Sequence, residues 1–75
     1  MHTDTVQIQA EVETRDIGYI VSIFEMYEHF AIVRTADREK GILEFMIAPD
    51  FLDDTRKLLN ALAKEIPLRV IKDPA

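Results

Sequence analysis

The chain has 75 residues, which is enough for one small domain spanning residues 1–75 and too few for two independent hydrophobic cores. Apolar residues make up 48% and charged residues 31%, a composition typical of a folded domain and not of a disordered chain. A net charge of −5 disfavours nonspecific binding to nucleic acid or anionic membranes, and the lack of cysteine excludes disulfides and thiol chemistry.

Residues 5–13 alternate strictly between polar and apolar side chains. A period of two with one polar face is typical of a strand that is buried on one side only. The first element is therefore predicted to be a half-buried strand, with Gln7, Gln9 and Glu11 on its open face. Its buried face would carry Val6, Ile8, Ala10 and Val12.

Residues 16–29 are predicted to form the first helix. The segment begins with several β-branched residues, so a strand is the alternative. Its apolar residues, however, recur at positions i, i+3, i+4 and i+7 from Ile17 and continue past Phe24 without a breaker. The side chain of Thr14 or Asp16 is expected to cap the helix by accepting a backbone N–H bond.

Two strands are predicted at 30–36 and 42–48, joined by a loop that ends in Gly41. Glycine suits the last position of such a loop because it takes the positive φ that the turn needs. The alternation of faces then places Arg34 opposite Glu44 on the side of the hairpin that faces away from the helices.

Residues 50–66 show the clearest helical pattern, with Asp50 and Asp53 expected at the cap and in the first turn. Pro67 cannot continue the helix, and it opens a last strand at 68–72. The apolar arc of this second helix is predicted to contain Phe51, Leu52, Leu58, Leu59, Leu62, Ala63 and Ile66.

The element order predicts an α+β fold. Because crossover connections are right-handed, the order strand, helix, strand, strand, helix, strand favours a ferredoxin-like βαββαβ sandwich. Both helices would cover one face of a four-stranded antiparallel sheet and leave the second face open. That open face is predicted to carry Gln7, Gln9, Glu11, Ile32, Arg34, Ile42, Glu44, Met46, Arg69 and Ile71.

Few residues could carry catalytic or metal chemistry. The one serine, Ser22, lies in the first helix without a nearby base, and no Gly-rich loop could cradle a phosphate. Glu25 and His29 share a helix face, but two ligands do not make a metal site. We therefore expect no enzyme activity, no metal and no cofactor.

Binding to nucleic acid or membranes is not expected either. The RNA-recognition motif has this element order, but it stacks bases on aromatic residues of its first and third strands. Here those strands would present no aromatic residue and would present Glu11 and Glu44. No apolar run is long enough for a membrane span, and residues 1–4 show no leader, so we expect a cytoplasmic protein.

The turn into the first helix contains Arg15, Asp16 and Gly18. Together with the element order, this turn resembles that of ACT-type regulatory domains, which begin their first helix with an acidic residue and then a glycine. Ile17 stands where that family commonly has proline. The resemblance implies that Arg15, Asp16 and Gly18 hold a small ligand, such as an amino acid, at a subunit interface. The alternative is a simple helix start with an exposed arginine.

A larger part of the chain resembles a small uncharacterised bacterial family of stand-alone domains. The resemblance extends from residue 15 to residue 66 and is carried by the segments 15–17, 24–28 and 31–35. It implies no known activity.

The first helix has more apolar surface than one sheet face can bury. Besides the stripe that faces the sheet, it carries a second apolar stripe that consists of Tyr19, Ile23, Met26 and Phe30. Part of this second stripe can meet the neighbouring helix, and the rest is predicted to contact a second subunit in a two-fold homodimer. We therefore expect a non-catalytic binding or assembly module that acts as a homo-oligomer, through this helix or through the open sheet face. The alternative is an ACT-like sensor of a small metabolite.

Overall fold

All six expected elements form within residues 5–73, which are the residues that the computed structural model describes. The strands are β1 (Val6–Val12), β2 (Ala31–Asp37), β3 (Ile42–Ile47) and β4 (Leu68–Lys72). The helices are α1 (Ile17–Met26) and α2 (Leu52–Ala63). A short 3-10 turn precedes each helix, at Thr14–Asp16 and at Pro49–Phe51.

The four strands form one antiparallel sheet in the order β2-β3-β1-β4. With the two helices this is a ferredoxin-like arrangement, as predicted. β1 and β3 lie in the centre of the sheet, so β2 and β4 are its edges. Arg34 lies opposite Glu44, and its Nε donates to Glu44 Oε1 at 2.6 Å, which confirms the predicted register of the hairpin.

The hydrophobic core lies between the two helices and one sheet face. The rings of Phe24 in α1 and Phe45 in β3 meet there, with their centroids 4.8 Å apart. Alternate residues of β1 and β3 point into the core, as the sequence pattern predicts. The buried apolar residues are Ile8, Ala10, Val12, Ile17, Ile20, Phe24, Ala31, Leu43, Phe45, Ile47, Leu59 and Leu62.

The opposite sheet face carries rows of side chains that cross the strands. One row runs from Arg34 through Glu44 and Gln9 to Lys72. Glu44 is only 6% exposed because it lies on a central strand between Arg34 and Gln9. It does not point into the core, since its neighbours Leu43 and Phe45 do, and the predicted faces of β3 are therefore confirmed.

Two irregularities change the alternation that the sequence suggests. The pairing of β1 with β4 shifts so that Lys72, and not Ile71, lies opposite Gln9. The pairing of β2 with β3 shifts after Thr35, which makes Ala36 an extra residue. A bulge of this kind changes the alternation of the residues that follow it. The predicted open face included Ile71, and in the structure Lys72 takes the place opposite Gln9 while Ile71 is the extra residue of the bulge.

The helices begin differently from the prediction. Asp16 is the N-cap of α1 but makes no side-chain capping bond, and the N-cap of α2 is Phe51 instead of Asp50. In both cases the 3-10 turn supplies the first backbone bonds in place of a capping side chain. Asp53 still lies in the first turn of α2, where its charge is favourable to the helix dipole.

Gly41 and Gly18 offer a matched test of this backbone. Gly41 has φ 70°, and a Cβ there would lie 1.9 Å from the carbonyl oxygen of Val12. At Gly18 no atom lies within 4 Å of the Cβ position. We expect Gly41→Ala to lower the free energy of unfolding by about 2 kcal/mol or more. Gly18→Ala should leave it unchanged or raise it by up to about 1 kcal/mol. Urea denaturation measures both, and equal losses would contradict the backbone geometry.

Leu62 and Ala63 test the position of α2. Leu62 is 3% exposed in the core, whereas Ala63 is exposed although the predicted arc included it. Leu62→Ala should cost about 2–5 kcal/mol because it leaves a cavity. Ala63→Gln should change stability by less than about 0.5 kcal/mol. Thermal and chemical unfolding compare the two, and a stable Leu62→Ala protein would mean that α2 is rotated.

Candidate functional site

The predicted ligand turn is only partly assembled. Arg15 lines an open depression of ≈ 510 Å³, but Asp16 and Gly18 do not. The side chain of Arg15 is 79% exposed, and its Nε lies 2.9 Å from Glu13 Oε1. The three predicted residues therefore do not line this depression together. The depression is lined by Val12, Glu13, Thr14, Arg15, Glu39 and Lys40.

The second apolar stripe of α1 is largely taken up within the subunit. Ile23 is half-buried and packs against the core. Tyr19 is 45% exposed, and its hydroxyl donates to Glu65 Oε1 at 2.8 Å, just beyond the end of α2. This hydrogen bond raises the pKa of Tyr19 above its usual value. Met26 is the most exposed member at 73%. That the stripe contacts a second subunit stays a prediction.

The fourth member of the stripe, Phe30, belongs to an aromatic cluster that holds the turn at 27–30. The ring of Phe30 stacks on that of Phe51 with the centroids 5.1 Å apart, and the centroid of the Tyr27 ring lies 5.3 Å from that of Phe30. The ring of His29 meets both Phe30 and Phe51 edge-on. These contacts attach the turn to the start of α2 and so position the beginning of β2.

No metal-binding cluster or membrane helix is found in the described part of the chain. Among residues 5–73, no group of three or more His, Asp or Glu side chains could hold a metal ion. None of the helices formed by these residues is long and apolar enough to cross a membrane. The expectation about a leader at residues 1–4 lies outside the described residues.

Among residues 5–73, no strand pairs with the outer edge of β2. The Ala48 N–H donates to the Phe30 carbonyl at 3.3 Å, so the backbone groups of Phe30 face β3. In an antiparallel ladder, N–H and C=O point to alternate sides from one residue to the next. Ile32 and Arg34 therefore also face β3, while Val33 and Thr35 direct their N–H and C=O groups outward. β2 is the last strand on this side of the described sheet.

A groove runs along this edge between β2 and α1. It has a volume of ≈ 350 Å³ and is lined by Val21, Phe24, Glu25, Glu28, Ala31, Ile32 and Val33. Phe24 and Ala31 are buried, so the base of the groove is apolar. Glu25 and Glu28 are exposed at its rim and form no ion pair with any residue in 5–73. Ile32 is 63% exposed beside it.

The other edge of the sheet is better protected. β4 begins just after Pro67 and carries Arg69 and Lys72, and its bulge at Ile71 has a counterpart at Ala36 of β2. Prolines and charges are among the features with which proteins prevent strand addition at a sheet edge. Arg69 pairs with Glu11, so this edge also has less unsatisfied charge than the rim of the groove.

A family match covers both the groove and the β2 edge. Residues 10–66 match a protein family described as a domain of unknown function, DUF4911. The chain belongs to this family. The match confirms the resemblance to an uncharacterised domain family, and it does not confirm the ACT-type resemblance. The DUF4911 chain matches no curated protein and no solved structure.

The exposed edge of β2 and the groove beside it were not predicted from the sequence, although two signals for them were present. A ferredoxin-like fold places its second strand at the edge of the sheet, as the structure shows. The strand pattern puts Ile32 on the open face, where an apolar residue on an edge strand has no neighbour on one side. Together these signals could have indicated β2 as an exposed sheet edge with an apolar side chain.

Two ion pairs on the open face of the DUF4911 chain differ in burial. The Glu44 side chain is 8% exposed beneath Arg34, whereas the Glu11 side chain is 40% exposed beside Arg69. Arg34→Met should cost about 1–3 kcal/mol because it leaves a buried carboxylate without its partner. Arg69→Met should cost less than about 1 kcal/mol because water screens the pair.

Chemical denaturation at one protein concentration measures both variants. Replacing Glu44 by Leu in the Arg34→Met protein should recover most of the loss, since no charge is then left buried. Equal effects of the two arginine substitutions would contradict the difference in burial.

Proposed function

We propose that this DUF4911 chain is a non-catalytic assembly module that forms a two-fold homodimer through the outer edge of β2. The observation that supports it is the unpaired edge of β2 beside an apolar groove, with Ile32 63% exposed. Exposed strand edges of this kind readily accept another strand. A second copy of the same chain can supply that strand.

Two-fold symmetry suits this edge because an antiparallel strand pair is itself two-fold symmetric. Pairing β2 with β2 joins the two four-stranded sheets into one. The outward N–H and C=O groups of Val33 and Thr35 then gain hydrogen-bond partners. Ile32 gains a neighbour across the new strand pair, and the two grooves come together on the helix side of the sheet.

Other surfaces have less support as the interface. On the stripe of α1, Ile23 and Phe30 already pack within the subunit, and the Tyr19 hydroxyl is bonded to Glu65. Exposed apolar surface on that stripe is therefore limited to Met26 and part of the Tyr19 ring. The metabolite-sensor alternative has less support as well, because only one of its three residues lines the depression.

Sedimentation equilibrium on the wild-type chain and two edge variants tests the proposal. We expect a wild-type dimer. Ile32→Lys places a charge at the edge, and Thr35→Pro removes an outward N–H without affecting the bonds to β3. Each should raise the dimer dissociation constant by about tenfold or more while the monomer stays folded. Circular dichroism checks the fold.

Two matched controls distinguish β2 from the other surfaces. Ile71→Lys places the same charge on β4, and Met26→Lys places it on α1. Both proteins should dimerise like the wild type. A monomeric wild-type chain would overturn the proposal, and loss of the dimer in Met26→Lys alone would assign the interface to α1 instead.

A further inference from the structure

We propose that the second copy binds in one register, with the two Val33 residues opposite each other and Arg38 of each copy beside Glu28 of the other. This inference rests on the homodimer proposed above and specifies its geometry. In this geometry, the basic Arg38 of each DUF4911 chain meets the acidic Glu28 of the other copy.

The register depends on which backbone groups point outward. A two-fold axis through an antiparallel pair of β2 strands must pass beside one residue, which then lies opposite itself. An axis at Arg34 would bring the two arginines to a Cα separation of about 4.5 Å, where like charges repel. An axis at Val33 lets each Val33 exchange both of its outward backbone hydrogen bonds with its symmetry mate.

The neighbouring position in the other direction is also less favourable. An axis at Ile32 would pair Val33 with Ala31, whose N–H already donates to the Tyr27 carbonyl at 3.4 Å, so Val33 would lose one of its two bonds. The axis at Val33 moves Ala31 opposite Thr35 and leaves the exchange between the two Val33 residues complete. The axis at Val33 instead places Ile32 opposite Arg34 of the second copy. The methylene groups of that arginine can cover Ile32 while its guanidinium stays bonded to Glu44.

In this register the β2–β3 loop of the second copy falls beside the turn at 27–30 of the first. Most charges of that loop are already directed elsewhere. Asp37 Oδ1 accepts a hydrogen bond from the Lys40 backbone N–H at 3.1 Å. Glu39 and Lys40 line the depression at the end of β1, away from the outer edge of β2.

Arg38 is therefore the cation of the loop that is left for a partner. It is exposed and forms no ion pair with any residue in 5–73. The turn that it meets carries Glu28, with Glu25 one helical turn before it, at the rim of the groove. Two-fold symmetry repeats the contact, so two unpaired acidic rims meet two unpaired arginines. Such complementarity specifies the partner and the register.

Reversing each charge in a separate protein tests the inference. Glu28→Lys alone should give a homodimer with two base–base contacts, and Arg38→Glu alone one with two acid–acid contacts. In an equimolar mixture, a heterodimer of the two variants has one contact between the introduced lysine and the introduced glutamate. Its other contact joins the native Arg38 of the first variant to the native Glu28 of the second. The two variants should therefore prefer each other. Both sites are exposed, so each protein should fold.

Sedimentation equilibrium at low salt measures the three combinations. We expect each variant to dimerise about tenfold more weakly than the wild type, and the mixture to recover wild-type affinity as a heterodimer. The differences should shrink at about 1 M salt, where charges are screened within about 3 Å. Lys40→Glu in the same loop is the control and should dimerise like the wild type.

Cysteine cross-linking tests the axis itself. The chain has no native cysteine, so Val33→Cys should form a disulfide dimer under mild oxidation, because its Cα atoms would lie about 5.5 Å apart. Thr35→Cys, which faces Ala31, should not. A wild-type dimer with no preference in the mixture and no Val33→Cys cross-link would overturn the register alone. A wild-type monomer would overturn the homodimer itself.

Discussion

The structure depends on β3, which is paired on both sides, buried on its core face, and buried at Glu44 in the middle of its open face. Leu43, Phe45 and Ile47 point into the core and have no exposed surface, while Glu44 on the other face is only 6% exposed. Both helices pack on the side that Phe45 occupies, and β1 and β2 take their register from it. Gly41 leads into this strand at a point where only a residue without a side chain fits against Val12.

The faces of the strands could be predicted because burial on one side leaves a period of two in the sequence. The pairing of Arg34 with Glu44 was predicted from that alternation. The bulges at Ala36 and Ile71 could not be predicted, since an extra residue leaves no mark in the composition and only shifts the register of the residues after it. The predicted capping of the two helices was wrong because 3-10 turns of the backbone take the place of the expected side-chain caps.

The packing between helices and strands was harder to predict than the helices and strands themselves. Thr55 is fully buried in α2, and its hydroxyl has no hydrogen-bond partner among residues 5–73, although the apolar arc omitted it. The second stripe of α1 was predicted to be surplus apolar surface, but the helical pattern does not show which residues of the chain cover it. Ile23 packs against the core, and Phe30 is covered by Phe51, which is distant in sequence. The groove likewise joins a helix to an edge strand, so it has no local sequence pattern.

The difference between the two sheet edges has a consequence for aggregation. In an assembly joined at β2, both outer borders of the combined sheet are β4. Each border carries a bulge and two basic side chains, and the chain beyond it is held to α2 by the paired hydrogen bonds of Arg56 and Asp73. Strand addition would then end at two copies, because both β2 edges would be paired with each other and the remaining β4 edges resist pairing. A chain with two edges like β2 could instead polymerise without limit into fibres.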